Sequence, residues 1–95
     1  MNQRLVIDRE STPRWARGVR YRRDEARDRW MIVGPERILV PEGPGTDIAA
    51  LIDGKRSVAE MIAELAAEYD AETATIADET IAFLQQLADQ RYLGL

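Results

Sequence analysis

The spacing of apolar residues changes along the chain, and each change marks a different kind of structure. Leu5-Val6-Ile7 is a short apolar run that predicts a brief strand in an N-terminal arm. Ser11-Thr12-Pro13 interrupts it, because proline lacks an N–H and restricts its predecessor. Val19-Arg20-Tyr21-Arg22-Arg23 then alternates apolar and basic with period two, the pattern of a half-buried strand. The polar run from Asp24 to Asp28 predicts a hairpin loop, and Trp30-Met31-Ile32-Val33 a second strand. Gly34-Pro35 predicts a turn and Arg37-Ile38-Leu39-Val40 a third strand. Pro41, Gly43, Pro44 and Gly45 end the sheet.

Beyond residue 45 the period becomes helical. A first helix is predicted from Thr46 to Asp53, capped by Thr46 or Asp47 and stopped at Gly54 in a left-handed conformation. Ser57-Val58-Ala59-Glu60 is a capping box and opens the second helix. Val58, Met61, Ile62, Leu65 and Tyr69 form its apolar stripe. The third is predicted from Thr75 to Tyr92, capped by Thr73 or Thr75, with Ile76, Thr80, Phe83, Leu84 and Leu87 on one side. Ile81, Ala88 and Tyr92 extend its apolar surface around the cylinder. The fold class is therefore α+β: a three-stranded antiparallel sheet followed by three helices, arranged like a winged helix-turn-helix with the sheet placed first. A sheet this small is marginal alone and has to pack on the helices.

Composition narrows the chemistry. A chain of 95 residues holds one compact core and leaves little volume for a deep catalytic cavity. Neither cysteine nor histidine is present. Disulfides, thiolate nucleophiles, nitrogen- or sulfur-ligated zinc and Ser-His or Cys-His dyads are thereby excluded. Ser57 has a sufficient role as a cap, and Gly43-Pro44-Gly45 is too short and too proline-rich to cradle phosphate. The reading is of a protein that is not an enzyme and holds no metal or cofactor. No apolar run reaches 18 residues, and the opening MNQRLVIDRE carries charges where a signal peptide needs an apolar core. A cytoplasmic location without membrane contact is expected.

Charge is divided unevenly. Residues 1–42 contain ten Arg against seven Asp and Glu, whereas residues 43–95 contain three Lys and Arg against ten acids. Either the solvated faces simply differ, or the basic half attracts an acidic partner. The helix-turn-helix pattern raises the possibility of a DNA-binding regulator, but the second helix carries Glu60, Glu64, Glu68 and Asp70 without a base. The third sets Asp78, Glu79 and Asp89 against Arg91 alone. Both helices would meet phosphate with the wrong sign, so no nucleic-acid partner is expected.

The wide apolar face of the third helix is either that of a central core helix or a stripe with one margin left open. In the second case the edge strand Arg37-Ile38-Leu39-Val40 lies beside a groove lined by Thr80, Ile81 and Leu84. That arrangement suits a peptide added as an extra strand. A proline at Leu39 is then expected to remove a main-chain donor and weaken binding. Arg20, Arg22 and Arg37 would steer an acidic peptide. The same edge, or exchange of the arm, also permits a homodimer.

Four segments resemble the PqqD family of pyrroloquinoline quinone (PQQ) biosynthesis. They are Pro13-Arg14-Trp15-Ala16-Arg17-Gly18-Val19-Arg20, then Trp30-Met31-Ile32-Val33-Gly34-Pro35-Glu36-Arg37, then Ile48 through Asp53-Gly54-Lys55-Arg56-Ser57-Val58, and Asp78 through Leu87. The resemblance spans about residues 13–93, and it implies an arm over 1–12 and a PqqD-like peptide-binding domain over 13–95. It further implies a RiPP recognition element, a peptide chaperone that holds its ligand between the third strand and the third helix. The implied partners are the precursor peptide PqqA and the radical SAM enzyme PqqE, which cross-links a Glu and a Tyr of that peptide. A leader-peptide recognition domain of another peptide-modifying pathway has the same features. The chain departs from the family in the density of proline and glycine over residues 41–45, which either shifts the end of the third strand or makes a hinge.

Overall fold

The computed structural model describes residues 4–95, so residues 1–3 of the arm lie outside the described residues. Five strands and three helices follow in the order β1 (Arg14–Trp15), β2 (Arg20–Asp24), β3 (Arg29–Val33), β4 (Ile38–Leu39), α1 (Pro44–Ala50), α2 (Val58–Tyr69), α3 (Thr73–Asp89) and β5 (Leu93–Gly94). The strands β2-β3-β4 form an antiparallel sheet in sequence order, the α+β arrangement that the periodicity predicts. β4 is shorter than expected, at two residues.

The inner face of this sheet is read from its register. Tyr21 pairs with Ile32, and Ile32 with Leu39 on the other side. Ile32 is fully buried and meets a core drawn from all three helices: Ile48, Val58, Met61, Ile62, Leu65, Leu84 and Leu87. Each such side chain contributes about 1.5–3 kcal/mol by leaving water. Trp15, Tyr21 and Trp30 stack in a column, with ring centroids 5.9 and 5.0 Å apart. The Tyr21 hydroxyl donates to the Thr46 carbonyl at 3.0 Å, tying the sheet to α1. Burial, reinforced by the Asp47 carboxylate, pushes this phenol up to about 12, so it remains a donor at neutral pH.

Helix ends divide into those the sequence describes correctly and those it does not. The capping box at Ser57 and Glu60 forms, with bonds of 3.1 and 2.9 Å. The expected caps of the other two helices do not. α1 starts earlier, with Pro44 in its first turn and Gly43 at the cap position in a left-handed φ of 54°. Proline fits there because the first N–H of a helix has no internal partner. α3 also starts earlier, at Thr73 after Glu72, and neither Thr73 nor Thr75 caps it. At its other end α3 closes with paired bonds from Arg91 N–H to the Ala88 carbonyl, 3.0 Å, and from Tyr92 N–H to the Leu87 carbonyl, 2.8 Å. This is a Schellman motif, with Arg91 at the left-handed position (φ 66°) where glycine is preferred.

The arm is not a strand. Leu5 and Ile7 pair with a side chain rather than with another main chain: Ile7 N–H donates to Gln85 Oε1 at 2.9 Å, and Gln85 Nε2 donates to the Leu5 carbonyl at 2.7 Å. Ile7 is buried, and Arg4 forms two bonds to Asp89, of 2.9 and 2.8 Å. The arm continues to the start of α2, where Val58 and Ala59 N–H donate to the Ser11 and Arg9 carbonyls at 2.8 and 2.9 Å. Together with Ser57 Oγ, these satisfy the first three donors of the helix, which would otherwise lack partners. A pairing that the sequence did not reveal joins β1 to β5, Arg14 opposite Gly94 and Trp15 opposite Leu93.

Candidate binding site

β4 pairs with β3 on one side, and among the described residues no strand pairs with its other side. Gly34 N–H donates to the Arg37 carbonyl at 2.8 Å, closing the β3–β4 turn. Antiparallel pairs alternate between bonded and non-bonded, so with Gly34 opposite Arg37 the next bonded pair is Ile32 with Leu39. The intervening residue, Ile38, sits opposite Val33 in a non-bonded pair and turns its N–H and C=O to the open side. Hence the free main-chain donor belongs to Ile38. A proline at Leu39 would instead break the ladder to β3, which corrects the expectation drawn from the sequence.

The helical wall beside this edge is fixed at both ends. The Arg37 guanidinium donates to the Gln90 carbonyl and lies 5.0 Å from the centroid of the Tyr92 ring. At the other end Gly45 packs on Phe83 so closely that a Cβ there would come within 2.8 Å of the ring. The chain from Arg37 to Gly45 therefore runs alongside the α3 residues between Gln90 and Phe83. Phe83, Gln86 and Gln90 fall within about 60° of one another around the helix, at 100° per residue. A depression of about 370 Å³ opens on this flank, between Pro44, Gly45 and Ile48 of α1 and Ala82, Phe83 and Gln86 of α3.

The residues expected from the sequence lie in different places. Arg37 is exposed, as are Ile38 at 59% and Val40 at 36%, while Leu39 is half-buried against the core. On α3, Thr80 and Leu84 are 1% and 0% exposed and belong to the core. Ile81 is half-buried, on the same side of the helix as Gln85, where the arm lies. The structure thus brings the strand residues to an open edge but sets Phe83, Gln86 and Gln90, not Thr80, Ile81 and Leu84, on the flank beside it. The available signal was polarity: the two glutamines sit at the margin of the stripe, next to its one Phe.

Electrostatics separates the two flanks of α3. On the arm side, the Arg4 guanidinium, followed by the Gln85 amide, holds the Asp89 carboxyl below the usual carboxylate range. The outer face of the sheet is basic. Arg20 and Arg22 stand opposite Val33 and Met31, and both arginines are exposed.

Comparison with known proteins agrees with this architecture. The family described as Coenzyme PQQ synthesis protein D (PqqD) matches residues 29–93. A PqqA binding protein of Rhodopseudomonas palustris (strain HaA2) is 41% identical over 92 residues, covering 97% of this chain and 90% of the relative. The PqqA binding protein of Gluconobacter oxydans is 42% identical over 79 residues, 83% of this chain and 82% of its own. Among solved structures, the PqqD truncation of Methylobacterium extorquens PqqCD, described as a functional and stand-alone RiPP recognition element, superposes with a TM-score of 0.80. It is 31% identical, over 95% of this chain and 96% of that one. PqqD from Xanthomonas campestris gives 0.61 at 36% identity, over 95% of this chain and all of the other. In sequence and in fold alike, this chain belongs to the PqqD family.

Proposed function

We propose that this protein is a peptide-binding adaptor of PQQ biosynthesis, without catalysis of its own, that takes the precursor peptide PqqA as an added strand on β4. The observation that carries this reading is the open main-chain edge at Ile38, flanked by the Phe83-Gln86-Gln90 side of α3, in a chain whose relatives are PqqA binding proteins. Edge pairing supplies affinity through main-chain bonds, and the depression beside Phe83 receives a side chain. The adaptor then presents the peptide to the radical SAM enzyme PqqE, whose chemistry needs no redox or metal-binding residue here. Within this reading α2 and α3 are the helix-turn-helix and the β2–β3–β4 sheet the wing, with the helices' acidic faces unsuited to DNA. The adaptor works in the cytoplasm, and the same open edge allows a second copy to pair when peptide is absent.

Titration of isotope-labelled full-length protein with the PqqA peptide of the same genome, followed by NMR, tests the site. Amide shifts are expected at Ile38, Val40, Phe83 and Gln86. Shifts clustered on Val58 to Tyr69 would overturn the placement, and no shifts at all would overturn the function.

A further inference from the structure

Arg37 begins the open edge, and it does not stand there alone. A hollow of about 270 Å³ is lined by Arg17, Arg37 and Arg91, with Tyr92 and the Gly34–Glu36 turn completing its wall. The three arginines come from distant parts of the chain: the turn after β1, the residue before β4 and the turn that closes α3. Among the described residues no carboxylate lies within 4 Å of any of them, whereas five other arginines do have such partners. Glu36 is the one acid on the rim. Arg37 commits Nη2 to the Gln90 carbonyl and lies over the Tyr92 ring, and among the described residues its other N–H groups make no hydrogen bond.

Arg91 is the most informative of the three. It occupies the left-handed C′ position of the Schellman motif, where glycine is favoured and a side chain is strained. A basic residue near a helix C-terminus gains from the helix dipole, but that gain needs neither the left-handed position nor Arg17. A strained residue at the mouth of a cavity is a pointer to use.

We propose that this hollow takes a carboxylate of the bound peptide, and that the contact sets the register of the added strand. The inference rests on the peptide-binding reading above. Main-chain pairing repeats along a strand and fixes no register by itself. Arginine at one end of the edge supplies the missing specificity, because a planar, forked guanidinium binds a carboxylate in one geometry.

Calorimetric titration of the full-length protein with the PqqA peptide of the same genome tests this. The peptide is used unmodified, with each Glu→Gln or Asp→Asn in turn, and with its C-terminal carboxyl amidated. Arg91→Gly is expected to melt at a higher temperature than wild type and yet to bind on the order of tenfold more weakly. Arg17→Gln is expected to lose affinity with an unchanged melting temperature. One modified peptide should bind wild type with the same loss and suffer no further loss on the Arg17→Gln/Arg91→Gly protein, and its identity tells a side chain from the C-terminus. Unchanged affinity in that double variant, or an equal loss for every acidic position, overturns the hollow alone. Failure of wild type to bind the unmodified peptide overturns the peptide-binding reading and the hollow with it.

Discussion

The two flanks of α3 carry similar side chains and have opposite fates. On one, Gln85 and Asp89 hold a piece of the protein's own chain, by main-chain bonds at Leu5 and Ile7 and an ion pair at Arg4. On the other, Gln86 and Gln90 stand beside an edge strand that has nothing paired to it among the described residues. The filled flank shows what the open one lacks. An extended segment is held on this helix by a glutamine that both donates and accepts, by burial of one aliphatic side chain, and by one arginine–carboxylate pair. Arg17, Arg37 and Arg91 line a hollow at the end of the open edge, so under the proposal above the charges there are reversed, with arginine on the protein and carboxylate on the peptide.

The comparison breaks most severely if the arm is removed. A chain starting at Thr12 loses the burial of Ile7, the Gln85 bonds and two of the bonds capping α2. It is expected to be less stable by about 3–5 kcal/mol, read as a lower midpoint in denaturant. An unchanged midpoint would mean that the arm is not part of the folded body. Light scattering of both chains tests the dimer proposal as well. An arm clamped within its own chain predicts that full-length protein does not dimerise by exchanging it, leaving the β4 edge as the route.

On the open flank, Ile38→Pro deletes the outward N–H without touching the ladder to β3. Loss of tenfold or more in peptide affinity is expected, about 1.4 kcal/mol or above, with helix content preserved. Leu39→Pro should instead break the β3–β4 ladder, visible as faster hydrogen exchange at Ile32 N–H. Equal behaviour of the two variants would reject the assigned ladder phase.

A smaller effect is expected on the filled flank. Gln85→Ala releases the main chain at Leu5 and Ile7 at a cost of about 1–2 kcal/mol. Faster hydrogen exchange at Ile7 should accompany it, with peptide affinity unchanged. If affinity fell with stability, the flanks would not be independent.

The weakest effect is expected from acid. Asp89 has a depressed folded-state pKa, so its contribution is present above the unfolded value of about 3.9 and is lost as pH falls through the folded value. The stability difference between wild type and Asp89→Asn should therefore be full at neutral pH, begin to shrink only below the unfolded value of about 3.9, and vanish once pH has fallen past the lower folded value. A difference that persisted in acid would show that the Arg4 link is not ionic.

Much of this was legible in the sequence, for local reasons. The capping box needs only four consecutive residues, and the period-two and helical stripes need only their own segments. The β1–β5 pair escaped because each strand is two residues long and its partner lies at the other end of the chain, so no periodicity marks it. The helix caps were misplaced because Pro44 and Glu72 start their helices before the Thr residues that look like caps. The edge strand was legible from turn chemistry, yet its helical neighbours were not. Thr80 and Leu84 stand out as the middle of an apolar stripe, and the middle is what a core covers. Which margin stays open depends on where Arg37, Gly45 and the arm come to rest, and nothing in the stripe itself encodes that.

Gln85 also imposes an order on the protein's assembly in the cell. The arm leaves the ribosome before its clamp, which lies 80 residues further along the chain. At the usual pace of translation that interval is on the order of 4–16 seconds. Throughout it the apolar Leu5-Val6-Ile7 segment is without its helix, while the β2–β3 hairpin, made of neighbours in sequence, can already have closed. The arm's contact with α3 thus forms late, and a nascent chain stalled before α3 would display this segment to chaperones and proteases.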